Sequence, residues 1–414
     1  MFRFLHTADL HLDSPMLGLA SRDGAGDELR SAVRRAFVRL IDLALDQAVD
    51  FVVIAGDVYD RDGKDYQTAL FFRSQMNRLK DRGIPAFLIA GNHDAASVIS
   101  RKLTLPGNVH QFPSKAPQTV ELPVLPVALH GMSFPDRAVD ENLVPRYPKP
   151  VVGKFNLGIL HTSLSGAQGH DTYAPCTLAD LTGKGYDYWA LGHIHQPAVL
   201  HRDPWIVYPG NLQGRHVREP GERGCVIVEV SDDLHVTACV SHHLDVLRWA
   251  VVTIDLTGAE DFEQAVAMVR AGVREAADAA DGRTLAVRVE LTGATPLHRQ
   301  LSSRPDQMAA EVQAIADEYG EGAVWVEQVI VSTRAMIDLE TLAASEPLTK
   351  VVIEAVREAE DIELPPEVLA MLDILPPDLK EELEAAWSGE GRKKILDDAC
   401  SIVLDRLTTK GGAR

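Results

Sequence analysis

Seven side chains stand out for their type and spacing: Asp9, His11, Asp57, Asn92, His161, His193 and His195. Imidazoles, carboxylates and one amide, with no thiolate among them, suit Mn²⁺, Fe²⁺ or Zn²⁺ better than a soft-metal or structural cysteine site. Seven donors are too many for one such ion. One shared carboxylate would let them serve two, and a pair of ions ~3.5–4 Å apart is a recurring device for hydrolysing phosphate esters.

These residues fall at the ends of short apolar runs. FRFLHTA precedes Asp9-Leu10-His11, DFVVIAG precedes Asp57, and IPAFLIAG precedes Asn92-His93-Asp94. FNLGIL leads into His161, and YDYWALG into His193-Ile194-His195. Such runs predict strands, and in an open α/β sheet ligands bind beyond the carboxyl ends of the strands. Five strands side by side would set all these groups on one rim. The Asp9/His11 and His193/His195 pairs are two apart, so an extended chain puts both members on one face. Gly56, Gly91 and Gly192 precede three of the groups, where a tight turn or close backbone approach is needed.

The elements that must position them alternate. Between the first two runs, Leu29, Val33, Phe37, Leu40, Ile41, Ala44 and Ala48 recur at helical spacing. Between the second and third, QTALFFRSQMNRLKDRG predicts a helix capped by Gly83. The order β-α-β-α-β predicts a sheet covered by helices. The proline-rich stretch 106–150 reads as edge strands of a second sheet, and Trp189, inside its strand, reads as core. Past a boundary near 245 comes a smaller α/β unit, and from about 338 the chain turns helical and acidic.

Composition narrows the classes. The 414 residues are 46% hydrophobic and 24% charged, as in folded globular chains. No apolar run reaches ~18 residues, so a membrane span is not expected, and MFRFLHTADLHLDSP lacks the pattern of a secretion signal. Cys176, Cys225, Cys239 and Cys400 have no CxxC spacing and read as thiols of a reducing cytoplasm. The net charge of −19 excludes broad, nonspecific binding to a polyanion by the chain alone. Most of the excess acid lies beyond residue 245, whereas all histidines but His298 lie before it, which locates the chemistry in the first part.

As a set, D-L-H at 9–11, G-D at 56–57, G-N-H-D at 91–94, His161 and G-H-I-H at 192–195 resemble the calcineurin-like metallophosphoesterases. The opening HTADLHLDSP and the segment YPGNLQGRHVREPGERG resemble more narrowly their bacterial DNA-repair exonuclease branch, the YhaO-like relatives of SbcD. The resemblance implies an α/β fold: a two-sheet metallophosphoesterase sandwich flanked by helices (1–245), a small α/β capping domain (246–337) and a helical partner-binding tail (338–414). It implies a metal-dependent hydrolase of DNA phosphodiesters, an exonuclease or endonuclease of DNA repair using two Mn²⁺, with Fe²⁺ or Zn²⁺ as alternatives. Asp9, His11, Asp57 and His195 would hold the first ion, with Asp57 bridging, and Asn92, His161 and His193 the second. A hydroxide held by the ions would attack, and His93 would assist the leaving group, oriented by Asp94 through its ring nitrogen.

The SbcD-type pattern has His three residues after the bridging Asp, where this chain has Asp60. G-D-x-x-D-R at 56–61 resembles the protein-phosphatase branch instead. A phosphatase or phosphodiesterase acting on nucleotides or phosphoproteins is therefore the alternative, and a non-catalytic scaffold the second. Arg61 and Arg215 are the substrate-contact candidates, ahead of Lys64, Arg101, Lys102, His216 and Arg218. The sparse basic set implies that a partner supplies DNA affinity. The resemblance suggests an SMC-like ATPase gripping the C-terminal helices, and a homodimer is possible. His216, His242 and His243, away from strand ends, read as surface residues.

Overall fold

The computed structural model describes residues 1–14, 26–60, 66–96, 104–164, 173–336 and 347–359, with scattered positions between 383 and 403. Arg61, Lys64, Arg101 and Lys102 lie outside the described residues, as does most of the predicted tail. The chain divides into two compact units, Met1–Ala250 with Ala280–Ala286, and Val251–Ala279 with Val287–Arg414.

The first unit begins with β1 (Phe2–Thr7), α1 (Gly26–Asp46), β2 (Phe51–Ala55), α2 (Tyr66–Asp81), β3 (Ala86–Ile89) and the short α3 (Asn92–Ala96). Then follow β4 (Val109–Gln111), β5 (Gln118–Glu121), β6 (Val127–Gly131), β7 (Phe155–His161) and β8 (Tyr188–Gly192). The last four strands are β9 (Ala198–Arg202), β10 (Trp205–Tyr208), β11 (Gly224–Val230) and β12 (Val236–His243). They form two six-stranded sheets, ordered β12-β11-β1-β2-β3-β4 and β5-β6-β7-β8-β10-β9.

The ligand-bearing strands therefore do not lie side by side in one sheet. β1, β2 and β3 belong to the first, β7 and β8 to the second, and the rim is built from two facing edges. Aromatic packing brings the sheets together. Phe4 stacks on Phe51 at 5.0 Å and meets Tyr188 of the other sheet edge-on at 5.2 Å. Large apolar residues on both inner faces fill the space between two sheets, as sandwich packing requires. Trp189 is fully buried, with its indole N–H on the Leu181 carbonyl.

Parallel register aligns the strand ends. Thr7 is opposite Ile54, Ala55 opposite Ile89, and His161 opposite Gly192. Of the 106–150 stretch, β4 and β5 are edges, but β6 sits inside the second sheet between β5 and β7, because its VALHG run is apolar enough to be buried on both faces. On α1, Val33, Phe37, Leu40, Ile41 and Ala44 are buried as the periodicity predicts. Ala48 instead falls beyond the helix end, exposed, at φ +46°. Gly83 ends α2 at φ +73°, a conformation that costs glycine little.

The second unit carries the helices Phe262–Ala279 and Pro305–Asp317 and the strand Val324–Val331, which forms a three-stranded sheet with Leu247–Asp255 and Thr284–Thr292. In the helix Pro347–Ala359, Ile353 is buried with Cys400. No disulfide joins the cysteines among the described residues. No described helix is long and apolar enough to cross a membrane.

Candidate metal centre

The loops after β1 and β2 are laced together by backbone hydrogen bonds. Asp9 N–H donates to Gly56 O (3.0 Å), His11 N–H to Asp57 O (3.1 Å) and Leu12 N–H to Val58 O (3.0 Å). To do this the chain takes left-handed backbone at Asp9 (φ +50°), His11 (+44°) and Asp57 (+51°), and across the site at His193 (+97°). For residues with a Cβ this costs on the order of 1–3 kcal/mol each, strain of a kind that concentrates at functional sites. Gly91 and Gly192 permit the closest approaches: a Cβ on Gly91 would overlap Asp57 Oδ1, and one on Gly192 would overlap the Ala55 carbonyl.

The structure brings all seven donors to one buried locus. Two groups are close enough to hold a metal ion: Asp9, His11 and His195, and Asp9, Asp57 and His161. Asp9 is common to both, whereas the resemblance gives the shared role to Asp57. Asn92 Oδ1 lies 2.9 Å from His161 Nε2, and the rings of His161 and His193 are 5.2 Å apart. The carboxylate of Asp9 accepts the backbone N–H of His193 at 3.0 Å.

These donors fit cations on physical grounds. His195 Nδ1 is held by Glu219 Oε1 at 2.6 Å, so its Nε2 presents a lone pair. That lone pair faces His11 Nε2 at 3.2 Å. The other nitrogen of His11 faces Asp60 Oδ1 at 3.3 Å, an electrostatic contact without hydrogen-bond alignment. Two imidazole nitrogens nose to nose at that distance are what two ligands of one ion look like. His161 likewise donates Nδ1–H to the Ala55 carbonyl (2.9 Å) and turns Nε2 toward Asn92 Oδ1 and, at 3.4 Å, Asp57 Oδ2.

The electrostatics agree. Burial pushes Asp9 up to about 8, with the neighbouring Asp57 carboxylate adding to it. Burial also pushes Asp94 up to about 7, again with Asp57 contributing. Burial would lower His161, but Asp57 raises it to about 9, while burial and Arg215 take His11 down to about 3. Carboxylates so crowded and so dry call for positive charge, which divalent cations supply.

His93 lies at the edge of this cluster, its side chain 31% exposed and its ring 5.2 Å from that of His11. Its backbone N–H donates to Asp57 Oδ1 at 3.0 Å. Its Nδ1 is bound to the Asp60 carbonyl, with Asp60 Oδ1 4.0 Å away. Asp94 does not occupy that place. Its carboxylate accepts the backbone N–H groups of Val58 (3.1 Å), Tyr59 (3.0 Å) and Gly91 (3.2 Å), tying the β2 and β3 loops together. The orienting relationship expected of Asp94 is thus held by Asp60, because the start of α3 turns Asp94 inward.

Arg215 reaches the site, but its guanidinium is engaged. Nη1 donates to Asp60 Oδ1 at 2.8 Å, and Nη2 lies 3.3 Å from Glu219 Oε1. It clamps two carboxylates that hold His11 and His195, a different task from gripping a phosphate. His216 lies 3.5 Å from Glu219, and Arg218 is exposed. Sequence reasoning missed Glu219 and gave Asp60 no role. Glu219 receives His195, Arg215 N–H (2.8 Å) and Asn211 Nδ2 (2.8 Å). Burial would raise both acids, yet His195 and Arg215 hold Glu219, and His11 and Arg215 hold Asp60, well below the usual range. The one available signal was a Glu inside a segment already singled out by resemblance.

Comparison with known proteins agrees with this geometry. Residues 2–197 match the family model described as calcineurin-like phosphoesterase, and residues 249–334 that of the middle domain of the metallophosphoesterase YhaO. The chain is 35% identical over 299 residues to the uncharacterized metallophosphoesterase YhaO of Bacillus subtilis (strain 168), covering 71% of this chain and 72% of that one. It is 25% identical over 269 residues to the DNA double-strand break repair protein Mre11 of Sulfurisphaera tokodaii, covering 61% and 65%. To the SbcD component of the nuclease SbcCD of Bacillus subtilis it is 26% identical over 239 residues, covering 48% and 58%.

Fold and site define a metal-dependent phosphoesterase, a hydrolase with a two-metal centre. The chain belongs to the calcineurin-like metallophosphoesterases and is related to the branch that holds YhaO, Mre11 and SbcD.

Proposed function

We propose that the chain hydrolyses phosphodiester bonds of DNA as an exonuclease or endonuclease, with Mn²⁺ as the favoured metal and Fe²⁺ or Zn²⁺ as alternatives. The observation that carries the reading is the converging pair of donor clusters with His93 beside them, partly exposed and fixed through Nδ1. The substrate class draws on the names of the Mre11 and SbcD relatives.

Asp9, His11 and His195 would hold one cation, and Asp57, Asn92, His161 and His193 the other, with a carboxylate between them. Such a pair supplies Lewis acidity at the phosphoryl oxygens and acidifies water. Glu219 fixes the tautomer of His195, so its Nε2 serves as a donor. With Nδ1–H held by the Asp60 carbonyl, His93 keeps Nε2 for the substrate, where in its imidazolium form it would give the Nε2 proton to the leaving 3′ oxygen and be left neutral. Arg215 keeps Asp60 and Glu219 in place as counter-charge.

Residues 1–245 are the catalytic region of this proposal, 246–337 its cap and 338–414 the segment that meets an SMC-like ATPase. A homodimer and a cytoplasmic setting belong to the same reading. Val351, 59% exposed on the helix Pro347–Ala359, supports a role for that helix in docking.

Asp60 beside His93 favours a second reading, a phosphatase of small esters. The test is Mn²⁺-dependent hydrolysis of labelled single- and double-stranded DNA beside p-nitrophenyl phosphate. Cleavage of DNA, lost in His93→Ala, is the expected result. Rapid turnover of the monoester with intact DNA would replace the nuclease reading with the phosphatase one.

A further inference from the structure

His6 is a buried titratable side chain that the proposed chemistry does not use. It lies fully buried on β1, three residues before Asp9. Phe2, Phe4 and Ala8, at the same parity of the strand, belong to the apolar core between the sheets, together with Phe51, Phe155 and Tyr188. His6 enters the same layer, and its ring meets that of Tyr188 edge-on at 5.8 Å. Both of its nitrogens bond to β8 of the other sheet. Nε2 lies 3.2 Å from the Leu191 carbonyl, and Nδ1 lies 3.0 Å from the Tyr188 hydroxyl. A carbonyl only accepts, so Nε2 carries the proton. Burial lowers the ring to about 3, which keeps it neutral, so Nδ1 takes the Tyr188 O–H.

An imidazole in such a layer costs desolvation that a leucine would not. What it adds is direction. Apolar faces slide over one another with little change in contact, whereas two hydrogen bonds, one given and one taken, hold at a single offset. The offset matters because the same two segments meet again at the metal centre. Asp9, three residues past His6, accepts the N–H of His193, two residues past Leu191, at 3.0 Å. Gly192, between Leu191 and His193, packs so near the Ala55 carbonyl that a Cβ would overlap it, so the segments have no room to shift. We propose that His6 is a positioning residue of the metal centre: its bond to the Leu191 carbonyl sets the height of β1 against β8, and with it the gap between Asp9 and the histidines at 193 and 195. Metal ligands need placement to about 0.5 Å, which a locked side chain behind them provides. The inference rests on the two-metal reading of the site and is independent of the substrate.

Removing His6 alone would strand the Tyr188 hydroxyl, so the informative variant of the full-length protein is the double one, His6→Leu with Tyr188→Phe, in which donor and acceptor leave together. After chelation it should melt within a few degrees of wild type. Its affinity for Mn²⁺, by calorimetric titration, should fall about tenfold or more. Hydrogen exchange at the His193 amide of the chelated protein should quicken by a similar factor, a reading that involves neither metal nor substrate. His6→Gln, which offers an acceptor and a donor from one planar amide, should recover most of the affinity. A double variant that binds Mn²⁺ as tightly as wild type overturns the proposal. One that fails to fold, or whose chelated form melts far lower, makes His6 a structural residue and overturns it too. The wild type gives a test without any variant: ring nitrogen shifts of the chelated protein should report the Nε2–H tautomer at His6, and the Nδ1–H tautomer would remove the bond to Leu191 and refute the idea. A wild type that takes up no Mn²⁺ would sink the metal centre itself, which keeps the two failures apart.

Discussion

Arg215 donates from Nη1 to Asp60 Oδ1 at 2.8 Å, joining the loop after β10 to the loop after β2 across 155 positions of sequence. Both side chains are more than four-fifths buried. Breaking one partner of such a pair leaves an uncompensated charge, at a cost of about 3–5 kcal/mol. Arg215→Ala should lower the thermal midpoint by several degrees, and a double-mutant cycle with Asp60→Asn should give a coupling above about 1 kcal/mol. Strict additivity in that cycle would mean the contact contributes nothing.

Glu219→Gln keeps the size of the side chain but removes the charge that fixes His195 Nδ1. Metal affinity should fall about 10–100-fold, read by titration with Mn²⁺. The midpoint of unfolding after chelation should change much less, which separates a metal effect from simple misfolding.

His93 touches no ion in the proposed arrangement. His93→Ala should reduce kcat on a phosphodiester by about 10²–10⁴-fold while metal stoichiometry stays the same. Undiminished kcat would remove His93 from the chemistry.

In the metal-free chain Asp9 is pushed up to about 8 and His161 to about 9, so both hold a proton at neutral pH. Cations displace protons from their ligands, so binding at pH 7 should release them and tighten as pH rises. Calorimetry in buffers of different ionisation enthalpy reads the release directly. Both groups bind protons more tightly folded than unfolded, where the values are 3.8 and 6.5. Their contribution to stability is therefore greatest at low pH. It is lost from about pH 4 for Asp9 and through about pH 9 for His161. Bound metal should abolish this loss, so the gap in melting temperature between loaded and chelated protein should widen between pH 7 and 9.

Gly91→Ala would force a methyl into Asp57 Oδ1. The fold should survive with a loss of about 1–3 kcal/mol, while metal binding should suffer most. Retained affinity with an unchanged melting curve would show that the loop can yield there.

Asp9, His11, Asp57, His161 and His195, which the fold groups within reach of a cation, and the strands ahead of them were legible because each sits at a local boundary, where an apolar run stops at a polar group. That boundary is a property of a few neighbouring residues, and so is the helical spacing of Val33, Phe37, Leu40 and Ile41. Sequence alone also located the chemistry in the first 245 residues, since the histidines cluster there.

Tertiary structure decided the rest. The split of the five strands between two sheets is a matter of which strands pair, and the two sheets meet through contacts such as Phe4 against Tyr188, which no local pattern encodes. The roles of Asp60, Glu219 and Arg215 arise from partners brought together by that packing, and the inward turn of Asp94 from the loops it ties. A buried charge is defined by what surrounds it: the chain determines which groups are present, and only folding determines which of them meet in the absence of water.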